Sequence, residues 1–275
     1  MVLTLPLLAL IAAMGAGAFG ALVGVGGGLI LVPLLTIALG VPVHGAVAVS
    51  LLGVIAVSTT ASASYLSGGL VDRRAGLTLL VATALGGVAG GYIAGYLDAR
   101  VISGLFGVVL VAVAIQMLRS RGRPATEVVG EPRRFEFDWS YVEPTTRTEI
   151  VYRVRRVWPG AFVSLFAGAL SGLLGIGGGV VNVPTMNVLM GMPIRVATTT
   201  STYMLGATAA ASAVLFLSRG EVDFALAAPV VVGVVIGGRA GALLQRRVPQ
   251  HALILAFVAI AAFFAIQMLL RAVNG

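Results

Sequence analysis

Long apolar stretches alternate with short polar ones along most of the chain. A membrane-spanning helix needs roughly 20 apolar residues, and six of the stretches are close to that length. Two others, 3–39 and 158–190, are too long for one crossing and short for two, and glycines interrupt both in the middle. We expect each of these two to form two helical pieces that meet at a break. The six single stretches are 46–67, 75–97, 101–118, 196–217, 224–244 and 252–270.

The same pattern occurs twice in the chain. Positions 24–119 align with 175–270 at a constant offset of 151 and without a gap. Within this alignment, Gly24-Val-Gly-Gly-Gly28 matches Gly175-Ile-Gly-Gly-Gly179. So many identities at one offset indicate an internal duplication. Further matched pairs are Pro33 with Pro184, Gly40 with Gly191, Pro42 with Pro193, Ser50 with Ser201 and Asp72 with Asp223.

We therefore predict an all-α polytopic integral membrane protein with two homologous repeats. Each repeat has a glycine-broken first helix, re-entrant or discontinuous, followed by three transmembrane helices, which gives about eight membrane segments. The first repeat spans 1–119, a polar linker 120–157 and the second repeat 158–275. Arginine counts in the loops support parallel and inverted repeats almost equally. The absence of positive charge at the N-terminus slightly favours the inverted arrangement.

The composition supports a membrane protein and excludes several function classes. The chain is 59% hydrophobic and only 10% charged, whereas about a quarter of an average soluble domain is charged. All 18 basic residues are arginines, which in so Ala- and Gly-rich a sequence is typical of codon bias. We therefore expect no nucleic-acid partner despite the net charge of +8. The chain has no cysteine, which excludes disulfides, thiolate nucleophiles and iron–sulfur clusters.

The linker is the strongly polar part of the chain. Between Arg119 and Val157 it carries nine arginines and six acidic residues, so the positive-inside rule predicts a cytoplasmic location. The stretch Phe135-Glu-Phe-Asp-Trp-Ser-Tyr141 alternates aromatic and polar residues, which indicates a short strand or a segment at the membrane interface. Two interpretations remain open for the linker, a solvated loop and a regulatory or partner-binding site.

The two glycine breaks are the first candidates for a binding site. Non-helical backbone at membrane depth persists only where protein or a water-filled cavity satisfies it. A second half-helix that begins near Leu29 or Val180 would present free N–H groups and the positive end of its dipole, which favour an anion. The alternative is that the glycines only allow close helix packing. The candidate glycines are Gly26, Gly27, Gly28, Gly177, Gly178 and Gly179.

Polar residues inside apolar stretches are the second set of candidates, because such residues are costly in a membrane and often functional. Hydroxyl groups cluster at the start of the helix that follows each break, and they bind either substrate or backbone. Asn182 has the apolar counterpart Leu31, which indicates that the second repeat contributes more to specificity. Arg239, inside a predicted span, either binds an oxyanion or extends to the interface. The candidates of this set are Ser50, Asn182, Thr199, Thr200, Ser201 and Arg239.

The acidic residues outside the linker all lie at the ends of predicted spans. They are Asp72, Asp98, Glu221 and Asp223. The pattern therefore predicts no carboxylate at the membrane midplane that could relay protons or bind sodium. Clusters of carboxylate, histidine or cysteine, which hydrolysis or metal chemistry would need, are missing as well. We expect no enzymatic activity, no metal and no cofactor.

Several of these motifs together carry a family resemblance. The duplicated Gly-x-Gly-Gly-Gly followed by Pro, then Gly-x-Pro, then Ala46 to Ser50 and Ala197 to Ser201, resembles the sulfite exporter TauE/SafE family of membrane permeases. The run Gly237-Gly-Arg-Ala-Gly241 is similar to a Gly-rich, Arg-containing segment of the family's second half. The resemblance covers nearly the whole chain except the linker, which is long for this family. It implies transport of sulfite, organosulfonates or related anions, usually outward across the bacterial inner membrane.

The residues and the resemblance together predict a secondary transporter that exports small sulfur-containing oxyanions. The anion would bind near the midplane between the repeats, at half-helix N-termini and hydroxyls. Three alternatives stay open: a passive anion channel, a transporter of another small organic anion, and a structural membrane component that uses the linker for docking. The expected partners are the lipid bilayer and a sulfite or sulfonate substrate. Coupling to a proton or another ion, and a homo-oligomer, are left open.

Overall fold

A computed structural model describes residues 4–23, 27–67, 69–119, 138–142, 149–244 and 250–274. These residues form ten α-helices, one π-helical turn and one β-hairpin. The helices of the first half are α1 (Thr4–Val23), α2 (Gly28–Ala38), α3 (Val43–Ser67), α4 (Arg73–Ala94) and α5 (Ala99–Arg119). Those of the second half are α6 (Val157–Leu174), α7 (Gly179–Pro184), α8 (Ile194–Ser218), α9 (Phe224–Leu244) and α10 (Gln250–Asn274), with the π-helical turn Thr185–Leu189 after α7.

The predicted helices and both predicted breaks are present. Helix α1 ends at Val23 and α2 begins at Gly28, while α6 ends at Leu174 and α7 begins at Gly179. Gly27, Gly175, Gly177 and Gly178 have φ angles between 69° and 80°, a left-handed conformation that side-chain-bearing residues rarely adopt. The glycines thus end one helix and allow the next to begin in a new direction. Helices α3 and α8 are both 25 residues long. Their first residues, Val43 and Ile194, are separated by the same offset as the repeated sequence identities.

The second broken segment turns back on itself. The backbone N–H of Arg155, just before α6, donates to the carbonyl oxygen of Met190, just after the π-helical turn, at 2.9 Å. The two ends of the segment therefore lie side by side. Of the two geometries that the sequence left open, the second segment adopts the re-entrant one.

Glycines let helices of opposite halves touch along their backbones. A Cβ atom at Gly90 of α4 would overlap the backbone of Ala169 in α6, and one at Gly237 of α9 would overlap the backbone of Met14 in α1. Successive contacts between α4 and α6 advance in the same direction along both helices, so these two helices are parallel. The same holds for α1 and α9. These glycines therefore allow close helix packing.

Six described helices are long and apolar enough to cross a membrane: α3, α4, α5, α6, α8 and α9. Shorter apolar helical stretches occur at Pro6–Gly20, Gly28–Ala38 and Val258–Val273. The protein is therefore a mostly helical, multi-pass membrane protein. The count of about eight membrane segments remains a prediction.

The linker contains a β-hairpin, which departs from the all-α expectation. Strand β1 (Asp138–Val142) pairs antiparallel with β2 (Glu149–Arg153), and Tyr141 faces Ile150 across the ladder. The predicted strand at 135–141 thus exists from residue 138 onward, and 135–137 lie outside the described residues. The second strand had no clear sequence signal. Alternating apolar and polar residues favour the hairpin, because one face packs against the membrane helices.

Candidate functional site

The two glycine breaks lie against each other at the centre of the fold. A Cβ atom at Gly28 would lie 2.7 Å from the carbonyl oxygen of Gly175 and 3.3 Å from the Cα atom of Ile176. The Oγ of Ser50 donates a hydrogen bond to the same carbonyl of Gly175 at 2.9 Å. Ser50 is fully buried. This residue, predicted as a ligand, therefore holds the second break against the first half of the chain.

Three buried polar side chains beside the second break have oxygen atoms without a hydrogen-bond partner among the described residues. They are Ser171 through its Oγ, Asn182 through its Oδ1 and Ser201 through its Oγ. A Cβ at Gly178 would lie 3.4 Å from the Cβ of Ser171, and one at Gly179 would lie 3.4 Å from the Oγ of Ser201. Leaving a buried polar group unpaired costs about 1–3 kcal/mol. Such a cluster therefore points to a bound polar ligand.

Asn182 belongs to this cluster through helix geometry. It follows Gly179 by three residues in the same short helix, so the two positions share one helix face. Its side chain is 2% exposed. An amide carries two donors and an acceptor, so it can bind an anion through its NH₂ group and a protonated ligand through its oxygen.

Two of the predicted hydroxyl ligands are engaged by the protein instead. The Oγ1 of Thr199 is within 2.5 Å of the carbonyl oxygen of Leu70. The Oγ1 of Thr200 accepts a hydrogen bond from the backbone N–H of Asp72 at 3.0 Å. Both threonines thus fasten the start of α8 to the loop before α4. Among the predicted hydroxyl ligands, Ser201 alone lacks a partner within the described part of the chain.

The candidate glycines have several roles in the structure. Gly27 and Gly178 stand immediately before α2 and α7 in left-handed conformation. Gly177 has no room for a side chain, because a Cβ there would lie 2.9 Å from the Cγ1 of Val54. Gly26 lies outside the described residues. The glycines therefore serve close packing and the break geometry together.

The structure does not bury Arg239 with the cluster. Its side chain is exposed on the outer surface of α9, while the flanking Gly237 and Gly241 face α1. In contrast, Ser171, Asn182 and Ser201 are almost fully buried. This position is typical of an arginine that extends along a helix to the membrane interface.

Ser171 is the site residue that the sequence reasoning missed. It lies four residues before Gly175, and its counterpart in the first half is Gly20. A hydroxyl one turn before a break is a usable signal, but the hydroxyl candidates came only from the helices after the breaks. Ser164, two turns earlier on the same face of α6, is also buried without a partner in the described structure. Ser62 and Glu221 carry further unpaired buried oxygen atoms.

The hairpin covers the end of the fold where the second broken segment starts and ends. Tyr152 is buried and its hydroxyl donates to the Oδ2 of Asp72 at 3.0 Å. Burial, and secondarily the Asp72 carboxylate, raises the pKa of Tyr152 above its usual value of 10.0, so the hydroxyl stays protonated and remains a donor. Tyr141 and Tyr152 of the hairpin share a buried cluster with four methionines, Met186, Met190, Met192 and Met204.

The described residues contain no group of three or more His, Cys, Asp or Glu side chains arranged to hold a metal ion. The buried carboxylate of Asp72 has structural partners. Its Oδ1 accepts from the backbone N–H of Ala75 and so caps α4, while its Oδ2 accepts from Tyr152.

Helical segments that are broken at glycines and packed against each other, surrounded by membrane-length helices, are typical of multi-pass membrane proteins that move solutes. The chain belongs to the sulfite exporter TauE/SafE family, whose sequence model matches residues 9–268. The prediction drawn from the sequence motifs is thus confirmed.

The chain is similar to several proteins named as probable membrane transporters. It is 28% identical to YunE of Bacillus subtilis (strain 168) over 249 residues, which cover 87% of this chain and 88% of that protein. It is 29% identical to a protein of Xylella fastidiosa (strain 9a5c) over 231 residues, covering 82% and 79%. It is 24% identical to MJ0441 of Methanocaldococcus jannaschii over 265 residues, covering 90% of each. No solved structure matches significantly. Family and relatives indicate a membrane transporter or permease rather than an enzyme.

Proposed function

We propose that the protein is a secondary transporter that exports small sulfur-containing oxyanions, such as sulfite or organosulfonates. The observation that carries this proposal is the cluster of unpaired buried groups at Ser171, Asn182 and Ser201 beside the second break. The oxygens of a sulfite or sulfonate group accept hydrogen bonds, and serine hydroxyls and an asparagine NH₂ group donate them. A bound oxyanion would therefore accept hydrogen bonds from the hydroxyls of Ser171 and Ser201, which lack partners among the described residues, whereas the Oδ1 of Asn182 would need a donor on the ligand.

The electrostatics of the cluster favour an anion over a cation. The start of α7 at Gly179 lies beside Ser201, because a Cβ at Gly179 would be 3.4 Å from the Oγ of Ser201. The N-terminal end of a helical segment carries partial positive charge. None of the described residues that form the cluster is acidic. A cation in this position would meet no carboxylate.

The geometry also supports two inverted repeats. The second broken segment begins and ends on the side of the hairpin, because Arg155 bonds to Met190. Three long helices follow a broken segment in each half. If the first broken segment also turns back, the chain crosses the membrane three times before the second repeat begins. The second repeat then starts on the opposite side of the membrane from the first. We propose that one repeat moves against the other around the site, as in other inverted-repeat transporters.

One contact favours a transporter over the alternative of a passive channel. Gly28 of one break and Gly175 of the other are too close to admit even a Cβ atom between them. Val54 packs into the same contact, against Gly177. A channel needs a continuous pore, and this contact leaves no room for one between the two breaks, which favours a protein that moves during transport. Another small organic anion remains the alternative substrate class.

The proposal is tested by flux measurements with purified protein in liposomes. We expect saturable uptake or efflux of sulfite or of an organosulfonate, and competition between the two. Flux that rises linearly with concentration, without saturation, would support the channel. Saturable flux of acetate with none of sulfite or any sulfonate would replace the substrate class.

A matched set of variants connects the flux to the cluster. Ser201→Ala removes an unpaired hydroxyl next to Gly179, and Asn182→Leu installs the residue found at the equivalent position 31. Both should raise the substrate concentration for half-maximal flux. Thr59→Val is the control, because the Thr59 hydroxyl is exposed and donates only to the carbonyl of Ile55 in its own helix. Equal effects of the three variants would contradict the proposed site.

A further inference from the structure

The cluster beside the second break contains one atom that a simple oxyanion does not satisfy. The Oδ1 of Asn182 is buried and has no hydrogen-bond partner among the described residues. An amide oxygen only accepts hydrogen bonds, whereas the hydroxyls of Ser171 and Ser201 can donate them. The oxygens of a sulfonate or of the sulfite dianion are acceptors as well. Such a group can therefore pair with the two hydroxyls, but it has nothing to donate to Asn182.

The other polar side chains of this segment have partners within the protein. The hydroxyl of Thr185 donates to the carbonyl oxygen of Val181 at 2.7 Å. The Nδ2 of Asn187 donates to the carbonyl oxygen of Met192 at 2.8 Å. Of the two asparagines after the second break, one thus bonds to the backbone, and the other keeps an acceptor without a partner in the described structure. A buried unpaired acceptor of this kind calls for a ligand or another physical explanation.

The first half shows that this position of the repeat can be apolar. The counterpart of Asn182 is Leu31, which is buried and packs near Gly53, where an added Cβ would lie 3.3 Å from the Cδ2 of the leucine. An apolar side chain can therefore fill the position, and an amide buried there without a partner has a cost that leucine does not have. Costly polar residues within membrane proteins are commonly functional.

The acceptor of Asn182 and the hydroxyl of Ser201 lie on the same side of α7. A Cβ at Gly179 would lie 3.4 Å from the Oγ of Ser201, and Asn182 follows Gly179 by three residues in the same helix. Positions three apart in a helix have Cβ atoms roughly 5–6 Å apart. A ligand can bridge this distance when an oxyanion and a donor are separated by about two carbon atoms.

We infer that Asn182 selects ligands that carry a hydrogen-bond donor close to the oxyanion, and that small sulfonates with a hydroxyl group fit the site best. The sulfonate accepts from Ser171 and Ser201, and the ligand hydroxyl donates to the Oδ1 of Asn182. A methyl group in place of the hydroxyl leaves this oxygen unpaired, which is the strongest basis on which a site rejects an analogue. The inference rests on the proposed function, because it refines the substrate class of the same site.

The test compares ligands of one size and one charge in liposomes that contain the purified protein. Hydroxyethanesulfonate and propanesulfonate differ in a hydroxyl against a methyl group at the end of the chain. We expect saturable flux of both, with a half-saturating concentration roughly tenfold or more lower for hydroxyethanesulfonate. Fluoroethanesulfonate, whose fluorine cannot donate, should bind no better than propanesulfonate.

Two variants connect this preference to Asn182. Asn182→Leu, the residue of the first half, should abolish the preference by raising the half-saturating concentration of hydroxyethanesulfonate toward that of propanesulfonate. Ser201→Ala is the matched control, because its hydroxyl serves the sulfonate group that both ligands share. It should weaken both ligands by a similar factor and preserve their ratio. If Asn182→Leu does not fold, the fluoroethanesulfonate comparison on the unaltered protein still tests the requirement for a donor.

The possible failures are distinguishable from one another. Saturable flux with equal half-saturating concentrations for hydroxyethanesulfonate and propanesulfonate would overturn the inference and leave the proposed function intact. A preference that survives in Asn182→Leu would assign the selection to another residue. Fluoroethanesulfonate that binds as well as hydroxyethanesulfonate would show that this end of the ligand accepts a hydrogen bond, which also overturns the inference. Absence of saturable flux for sulfite and for every sulfonate would instead contradict the proposed function itself.

Discussion

The hydroxyl of Tyr152 donates a 3.0 Å hydrogen bond to the carboxylate of Asp72, and this bond joins the linker hairpin to the start of α4. The other carboxylate oxygen of Asp72 caps the same helix, and the backbone N–H of Asp72 donates to Thr200 at the start of α8. One residue thus connects the linker, the first half and the second half. The hairpin is therefore attached to the membrane helices by specific hydrogen bonds, at the end where the second broken segment turns back.

Removing the Tyr152 hydroxyl should destabilise the protein. Tyr152→Phe leaves the ring in place and deprives a buried carboxylate oxygen of its partner, which costs about 1.5–3 kcal/mol for a hydrogen bond to a charged group. The measurement is thermal or denaturant unfolding in detergent. Tyr96→Phe serves as the control, because the Tyr96 hydroxyl is exposed and bonds to Tyr92. Equal stability of the two variants would show that the hairpin bond contributes nothing.

The raised pKa of Tyr152 predicts how the stability of the protein changes at high pH. Burial raises the pKa of Tyr152 above the value of 10.0 that it has when unfolded. The unfolded chain therefore loses this proton at a lower pH than the folded protein, so the contribution is complete below pH 10 and decreases as the pH rises further. The free energy of unfolding of the wild type should fall faster above pH 10 than that of Tyr152→Phe. Parallel curves for the two proteins would contradict this assignment.

The unpaired hydroxyls of the candidate site should contribute to binding without contributing to stability. Ser171→Ala removes a buried polar atom that has no partner among the described residues. Such a change is neutral or stabilising, because no intramolecular bond is lost. The melting temperature should stay constant or rise, while the substrate concentration for half-maximal flux increases. A fall in melting temperature together with unchanged flux would instead assign a structural role to Ser171.

The helices and breaks could be predicted from the sequence, whereas the roles of individual hydroxyls could not. Apolar length and glycine clusters are local features, and they located α3, α9 and both breaks within a few residues. Thr199 and Thr200 had the appearance of ligands, but their partners Leu70 and Asp72 are about 130 positions away in the sequence. Only the folded structure shows that these hydroxyls are engaged, whereas those of Ser171 and Ser201 have no partner among the residues it describes.

Close backbone packing predicts a strong position dependence for glycine substitutions. A Cβ at Gly237 would overlap the carbonyl group of Met14 in α1, and neither backbone can yield easily. Gly237→Ala should therefore destabilise the protein by about 1–3 kcal/mol or more. Gly15→Ala, in the partner helix α1, has no atom within 4 Å of the added Cβ and should be neutral or stabilising. Unfolding curves of the two variants provide the comparison.

The exposed position of Arg239 gives a prediction about affinity. Arg239→Gln should leave the substrate concentration for half-maximal flux unchanged, because the side chain lies on the outer surface of α9 and not among the buried groups of the second break. The amount of protein inserted in the membrane would fall if the arginine anchors the helix at the interface. A loss of affinity at normal expression would make Arg239 a substrate ligand, as the sequence alone allowed.

The inverted arrangement of the repeats can be tested directly because the chain has no cysteine. Single cysteines at Gly122 in the linker and at Gln250 at the start of α10 should react with an impermeant maleimide from the same side of the membrane. A cysteine at Arg100, at the start of α5, should react from the other side. In inverted repeats α4 and α9 cross the membrane in opposite directions. The C-terminal end of α9 then lies on the same side of the membrane as the C-terminal end of α5. Labelling of positions 122 and 250 from opposite sides would establish parallel repeats and contradict the inverted arrangement.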